Sequence, residues 1–466
     1  MTATDVIAAA ANDLACRINA TQVRVPDGAP LIWNSAVQHR PSLIVRAESP
    51  RDVQEAIRVA RDRGMRLSVL GGGNDWTGRA VCDGGLVIDM SGMRSVTVDS
   101  RERAATVGGG VLAAELVDAA APYGLVAATG NVGCVGMTGL TLGGGYGPLN
   151  GRFGLALDNL LGAEVVLADG RIVTADATHE PELFWALRGG GGNFGVVTSM
   201  RVRLHPLDRL IGGMIVFPWS QAATVWRGLD EVLSTAPDEL TVQSGVMSGP
   251  DGNPAVYLAP AFSGDLRCGQ AAVDELATLG TPLTTQVAPM TYGEVLGLFD
   301  AWGVRGPSWA IRTRTVARYA PGVIEALVEA GRTLTSPRSG IPIHNFHGAS
   351  TRVAPGETAF ANRDPHFVVE IVAGWEGGDS ARHRAWANAV SAALAPHALP
   401  GGYQNLLGPD DHAQIANAYG ENDIRLDAAK NHYDPDGVFN AIPLPSVSQE
   451  RSKCRTSSIV TTSPCR

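Results

Sequence analysis

Thr129–Gly147 reads T-G-N-V-G-C-V-G-M-T-G-L-T-L-G-G-G-Y-G, with glycine at eight of its 19 positions. Residues without a Cβ let the backbone approach a flat or phosphorylated ligand, and their consecutive N–H groups form a nest for anions. The spacers are mostly Val, Met, Leu, Thr and Tyr, whereas flexible linkers are rich in Ser and other polar residues. The stretch therefore reads as a packed wall of a cofactor site. Two further clusters share this character, G-G-G-N-D-W-T-G over residues 71–78 and R-G-G-G-G-N-F-G over residues 188–195.

A second set of chemically able residues lies in I-P-I-H-N-F-H-G, residues 341–348. Read as a strand, Asn345 and His347 share one face while His344 and Phe346 share the other. One face is expected to look toward the cofactor, and His347 with Asn345 is the pair assigned to substrate contact. Two histidines without a third ligand at recognisable spacing make no metal site, so no metal is expected. Arg312 and Arg314, with Trp309 and Tyr257, have the chemistry to shape a pocket for an anionic or aromatic substrate. Such residues more often pack or face solvent, and none of the four is assigned a role.

Each glycine cluster sits at the end of a predicted strand or helix. Leu43–Arg46 reads as a strand, and Ser49-Pro50 opens an amphipathic helix over 52–63 with Val53, Ala56, Ile57 and Ala60 on one side. Arg66–Leu70 is a strand that empties into the first cluster. Leu86–Asp89, Ser95–Asp99 and Ala104–Val107 are further strands, and Leu112–Tyr123 is a helix stopped by Gly124. Leu161–Leu167 and Arg171–Thr174 form a hairpin about Asp169-Gly170. A short helix, Glu182–Leu187, leads into the third cluster, and Val196–Leu204 follows as a strand. Three such loops suit a long ligand lying across several element ends, such as a dinucleotide. The G-x-G-x-x-G fingerprint with an acidic residue about 20 positions on is absent from the first βαβ unit, so this is not a Rossmann domain of the usual kind.

From about residue 206 the texture changes. Ile211–Phe217, Thr241–Met247, Ala255–Phe262, Ile341–Phe346 and His366–Ala373 read as strands. Ala222–Leu233, Ala271–Leu279, Val323–Leu334 and Ala381–Leu394 read as helices. The fold class is therefore α+β, with a sheet covered by helices on one face. The expected division is 1–205 for cofactor binding, 206–404 for the substrate, and 405–446 returning to the first domain. Residues 447–466, rich in Ser and Thr, are expected to be a poorly ordered tail.

With 466 residues the chain can bury two cores. Its 37 basic against 46 acidic side chains give a net charge of −9, which argues against a nucleic-acid partner. The six cysteines include no C-x-x-C pair, so neither a disulfide scaffold nor a zinc site is expected. No signal-peptide pattern and no run of about 18 apolar residues is present, which makes the cytoplasm the default location and a membrane an unexpected partner. Nothing in the sequence speaks to oligomeric state.

Four motifs in order, L-G-G-G-N-D-W-T-G, V-G-M-T-G-L-T-L-G-G-G-Y-G, F-W-A-L-R-G-G-G-G-N-F-G-V-V-T and H-Y-D-P-D-G-V-F, resemble the FAD-linked oxidases of the vanillyl-alcohol oxidase fold, in particular the berberine-bridge-enzyme-like branch. The resemblance runs from Pro41 to Phe439. It implies a two-lobed FAD domain around a substrate domain, with the pyrophosphate on Gly71, Gly72, Gly73, Asn74 and Asp75, and with Gly78 closing that loop. Gly130, Gly133, Cys134, Gly136, Thr138, Gly139 and Gly143 would line the flavin and ribityl chain. Gly195 and Val197 would lie near the adenine or dimethylbenzene side, and Tyr433 and Asn440 would close the site. Tyr403, in G-G-Y-Q-N at the re-entry to the FAD domain, is the first candidate to handle a substrate proton.

The sequence departs from this family at one telling position. The first loop normally reads G-G-H, and that histidine bonds covalently to the flavin 8-methyl carbon; here the position is Asn74. An amide nitrogen is not a useful nucleophile, so FAD is expected without this tether. The cysteine used by bicovalent members would fall at Val132, and Cys134 is out of register. The resemblance implies an oxidase that takes hydride from a small alcohol, amine or secondary metabolite and passes electrons to O₂. Two alternatives stand beside it: a dehydrogenase with another acceptor, and a redox-neutral cyclase or binding protein that retains flavin.

Overall fold

The computed structural model describes residues 3–28, 32–249 and 251–445; the predicted tail at 447–466 lies outside them. Three sheets of four, five and seven strands organise the chain, with a two-stranded ribbon of Leu125–Val126 and His205–Pro206 beside them. In the first, Leu43–Arg46, Leu86–Asp89 and Leu67–Leu70 run parallel, with Val23–Arg24 antiparallel at the edge. The helix Pro50–Asp62 covers it. Ser49 caps that helix by accepting from Asp52 N, proline occupies its first turn, and Val53, Ala56, Ile57 and Ala60 are buried beneath it. The second sheet is antiparallel, ordered Val96–Asp99, Ala104–Gly108, Val196–Arg203, Leu160–Val166, Ile172–Ala175. Its last pair is the expected Asp169-Gly170 hairpin.

The large sheet has seven antiparallel strands: Thr284–Met290, Leu210–Pro218, Pro254–Phe262, Leu240–Ser248, Ile341–Phe346, His366–Trp375 and Ser308–Val316. Side-chain alternation splits it cleanly. Val242, Val246, Ile341, Ile343, Val369, Ile371 and Ala373 pack beneath Ala222–Leu233, Pro321–Arg332 and Ser380–Leu394. The opposite face, carrying Gln243, Pro342, His344, Glu370 and Val372, turns toward the glycine loops. Two of these strands have no counterpart in the sequence reading. Thr284–Met290 is a half-exposed edge strand that tolerates Pro289. Ser308–Val316 has its period hidden by Arg312 and Arg314, which bond Asn388 and Ser391 on the covering helix. Neither arginine therefore reaches the cavity side of the sheet.

The C-terminal return is fastened by a buried ion pair. Lys430, on the helix Asp423–Tyr433, donates to Asp434 Oδ2 (2.5 Å), Asn193 O (2.7 Å) and Phe439 O (2.6 Å). Asp434 in turn accepts from Val438 N and Phe439 N, and Asn193 Oδ1 accepts from Ala441 N. One lysine thus ties the third glycine loop to residues 439–441. Lys430→Met would strand the Asp434 charge in a dry interior, which typically costs about 3–5 kcal/mol. Chemical denaturation should show a loss of that order, and a loss below about 1 kcal/mol would show that the clip is not a stabilising contact.

Candidate active site

The three glycine clusters meet around one cavity of about 400 Å³, within the range of small-molecule sites. From the first cluster, Gly71, Gly72, Gly73, Asn74 and Asp75 line it. The central stretch supplies Gly130, Gly136, Thr138 and Gly139, the third cluster Gly195, and the strand after it Val197. Asn440 closes one end and Tyr403 another. The two main loops touch backbone to backbone: a Cβ on Gly72 would sit 2.3 Å from Gly136 N. No side chain fits between them. Asp75 does not confront the cavity as a bare charge, since Arg79, Thr77 N and Arg79 N all donate to its carboxylate.

Several assigned residues fall elsewhere. Gly78 turns with φ +83° against Val37, and Gly133 packs on Ala114. Gly143 makes room for Asn405, which does line the cavity. The Cys134 thiol points at Gly303 O (3.5 Å), its pKa raised by burial, while Val132 takes the cavity wall. Tyr433 is buried on the same stripe of its helix as Lys430, but it does not line the cavity and donates instead to Glu180 (2.9 Å); burial pushes its pKa up to about 12. Closure falls instead to Phe439, Asn440, Ala441 and Ile442.

Assigning Asn345 and His347 to substrate contact picked residues that do not line this cavity. Asn345 O accepts from Asn150, and His347 Nε2 lies 3.1 Å from Thr241 Oγ1 with its ring against Gly151. Both residues seat the short helix Asn150–Phe153 on the large sheet. His344, one position away, faces the cavity. Its Nε2 is 3.1 Å from Glu370 Oε2 and its Nδ1 3.1 Å from Asn131 Nδ2. Glu370 was legible as the single carboxylate in the otherwise apolar strand H-F-V-V-E-I-V-A-G-W, a pattern that buried strands avoid without a reason. Around the pair stand Trp33, Trp302, Phe299, Tyr146, Ile311 and Val372.

Tyr403 is held with care. Its oxygen accepts from Gly145 N (2.9 Å) and Asn405 Nδ2 (3.0 Å), leaving the O–H to donate. Gly144 must lack a side chain, since a Cβ there would meet the tyrosine ring at 2.6 Å. Burial pushes the Tyr403 pKa up to about 12, opposed by those two hydrogen bonds, so near neutral pH the phenol is a donor and not a base. Asn74, in the amide orientation that satisfies its surroundings, donates to Cys134 O (3.1 Å) and Gly72 O (3.0 Å). Its nitrogen is committed to the loop.

Residues 41–176 match the family model of an FAD binding domain. The chain is 34% identical over 425 residues to the (R)-6-hydroxynicotine oxidase of Paenarthrobacter nicotinovorans, covering 88% of this chain and 92% of that one. It is 30% identical over 422 residues to the FAD-linked oxidoreductase aurO of Gibberella zeae, covering 88% and 82%. The crystal structure of 6-hydroxy-D-nicotine oxidase from Arthrobacter nicotinovorans superposes with a TM-score of 0.83 at 32% identity, covering 90% of this chain and 96% of that one. The chain belongs to the FAD-linked oxidoreductases and has the vanillyl-alcohol oxidase fold, a fold it shares with berberine bridge enzyme. It is an FAD-dependent oxidoreductase. The cavity fits that cofactor on its own terms: its walls are backbone where a Cβ would collide, and its one acidic loop residue is neutralised beside the place where phosphates would lie. Among the described residues no helix is long and apolar enough to cross a membrane, and no cluster of metal-ligating side chains occurs.

Two predictions follow from this geometry. Gly72→Ala should lower FAD affinity at least tenfold, about 1.4 kcal/mol, because backbone must move on both sides; unchanged affinity in an apoprotein titration would remove the cradle from the account. The second concerns pH. Burial lowers the imidazole pKa of His205, His347 and His366 to about 4. All three stay neutral in the fold at pH 5 but take up protons when unfolded, so the unfolded chain binds more protons and stability rises with pH between about 4 and 6.5. The thermal midpoint should fall steadily as pH is lowered across that window; a level midpoint would contradict the neutral assignment.

Proposed function

We propose that this protein is an oxidase of a small alcohol or amine, with FAD held by fit and not by a covalent bond. The observation that carries the reading is the convergence of Tyr403, Glu370 and His344 on the apolar end of a cavity whose other end is a backbone cradle. FAD bound in the cradle of Gly71–Asp75 would supply hydride acceptance at N5 and reoxidation by O₂. The division proposed is a cofactor-binding part, residues 1–205 and 405–446, against a substrate-binding part, residues 206–404.

The protein's own groups have separate tasks. The Tyr403 O–H donates to the substrate's heteroatom, its oxygen fixed by Gly145 N and Asn405. Glu370 is the proton acceptor at Oε1, since Oε2 is engaged by His344. Trp33, Trp302 and Phe299 exclude water and fix the plane of an aromatic or aliphatic frame. Asn74 supports non-covalent binding, because its nitrogen is both a poor nucleophile and already hydrogen-bonded to two carbonyls. The similarity to (R)-6-hydroxynicotine oxidase supports a small molecule as substrate.

A screen under argon tests the reading. A substrate should bleach the flavin absorbance, and admitted air should restore it with formation of H₂O₂. Tyr403→Phe should slow the bleaching on the order of a hundredfold, as loss of one preorganised donor does elsewhere. Bleaching that only an added acceptor reverses would make the protein a dehydrogenase, and turnover without bleaching would end the oxidase reading.

A further inference from the structure

We infer that residues 298–306 form a strap that closes over the cofactor cavity and retains FAD by covering it, so that the cofactor leaves only when the strap lifts. The inference rests on the reading that FAD is held without a covalent bond and goes beyond it in naming what keeps the cofactor in.

The strap is one layer of chain thick. It leaves the helix Tyr292–Gly297, passes through the single turn Asp300–Gly303 and runs on into the strand Ser308–Val316. Phe299, Trp302 and Gly303 line the cavity, while Asp300, Val304 and Arg305 are exposed. The same few residues are thus cavity wall on one side and protein surface on the other. The strap also reaches both halves of the cradle. Arg305 donates to Gly72 O of the first glycine loop (3.2 Å), and Gly303 O accepts from Cys134 Sγ of the central stretch (3.5 Å). A cofactor seated between those loops lies beneath it.

Its two ends are fixed more firmly than its middle. The Phe299 ring packs against Tyr257 of the large sheet at 5.9 Å, and Ser35 N donates to Pro307 O (3.1 Å). Between these points the strap is held to the cradle by the bonds from Arg305 and Cys134, and by Trp33 Nε1 donating to Trp302 O (2.8 Å). These are single hydrogen bonds at partly or fully exposed places, of the kind that adds little net stability. Gly297, Gly303 and Gly306 divide the segment, and Gly306 already turns with φ +119° where a Cβ would meet nothing within 4 Å. Such positions absorb the backbone rotation that lifting requires. The other walls offer no such freedom. Gly72 and Gly136 are locked backbone to backbone, and Lys430 clips residues 439–441 to the third glycine loop.

Gly303 supplies the test. A Cβ there would stand 3.9 Å from Cys134 Cβ and 2.7 Å from its Sγ, close to the spacing a disulfide needs. Gly303→Cys, closed by diamide and reopened by dithiothreitol, locks and frees the strap in one protein, with closure read as loss of the two thiols. Release of FAD, followed by its fluorescence after dilution, should be at least about tenfold slower in the closed form, because an open state populated at up to about 10% is removed. Adding Cys134→Ser should abolish the effect of diamide. Equal release from the closed and reopened forms would overturn the inference, and so would thiols that do not close. Hydrogen exchange on the wild-type protein gives an answer independent of the variant. Amides of residues 298–306 should exchange faster in the apoprotein than in the FAD-loaded protein, while those of Ser308–Val316 hold; equal exchange across the strap would overturn the inference. The two readings fail separately. FAD that stays on the denatured polypeptide contradicts non-covalent binding and the strap's role together, whereas free FAD with unchanged release contradicts the strap alone.

Discussion

The structure depends on one close approach, the main chain of Gly72 against the main chain of Gly136. At that distance neither loop can carry a Cβ, and neither can shift without the other. The contact joins the end of the parallel strand Leu67–Leu70 to the start of the helix Met137–Gly143, so the two lobes of the cofactor site are set relative to each other by backbone alone. Nothing flexible intervenes. This explains why glycine is concentrated where the chain is packed, and why the spacers between glycines are apolar.

Around this contact the rest of the chain supplies closure. The buried Lys430–Asp434 pair holds residues 439–442 over the third glycine loop, Asn34 links Trp76 O of the first loop to Trp309 N of the large sheet, and Trp76 Nε1 donates to Leu406 O. Where the large sheet lines the cavity it is apolar except at Gln243, His344 and Glu370. On the reading proposed above, the backbone cradle and the sparsely polar aromatic slot divide the labour of an oxidoreductase: one would bind what every turnover shares, the other would select what is turned over.

Much of the cofactor side was legible in the sequence because its signal is local. Glycine runs at element ends, a capped helix after Ser49 and a D-G hairpin each occupy a few consecutive residues and fold much as they read. The substrate side was less legible, because which face of a strand meets a cavity depends on partners far away in sequence. For Ile341–Phe346 the alternation was right and the choice of face wrong. Asn150 and Thr241, distant in the chain, hold Asn345 and His347 at a seam, and His344 takes the cavity. Glu370 carried a signal, a lone acid in an apolar strand, but its partner could be found only from the register of the sheet. Tyr433 shows the same limit on a helix: it is buried beside Lys430 on one stripe, yet its hydroxyl meets Glu180 and only Lys430 reaches the third glycine loop.

The central claim is that the cofactor is retained by fit between side-chain-free main chains, with Asn74 unable to replace that fit by a bond. Mass spectrometry of the yellow protein under denaturing conditions tests it most directly. The account predicts the mass of the polypeptide alone, with FAD detected as a separate species. A polypeptide heavier by one FAD would contradict it.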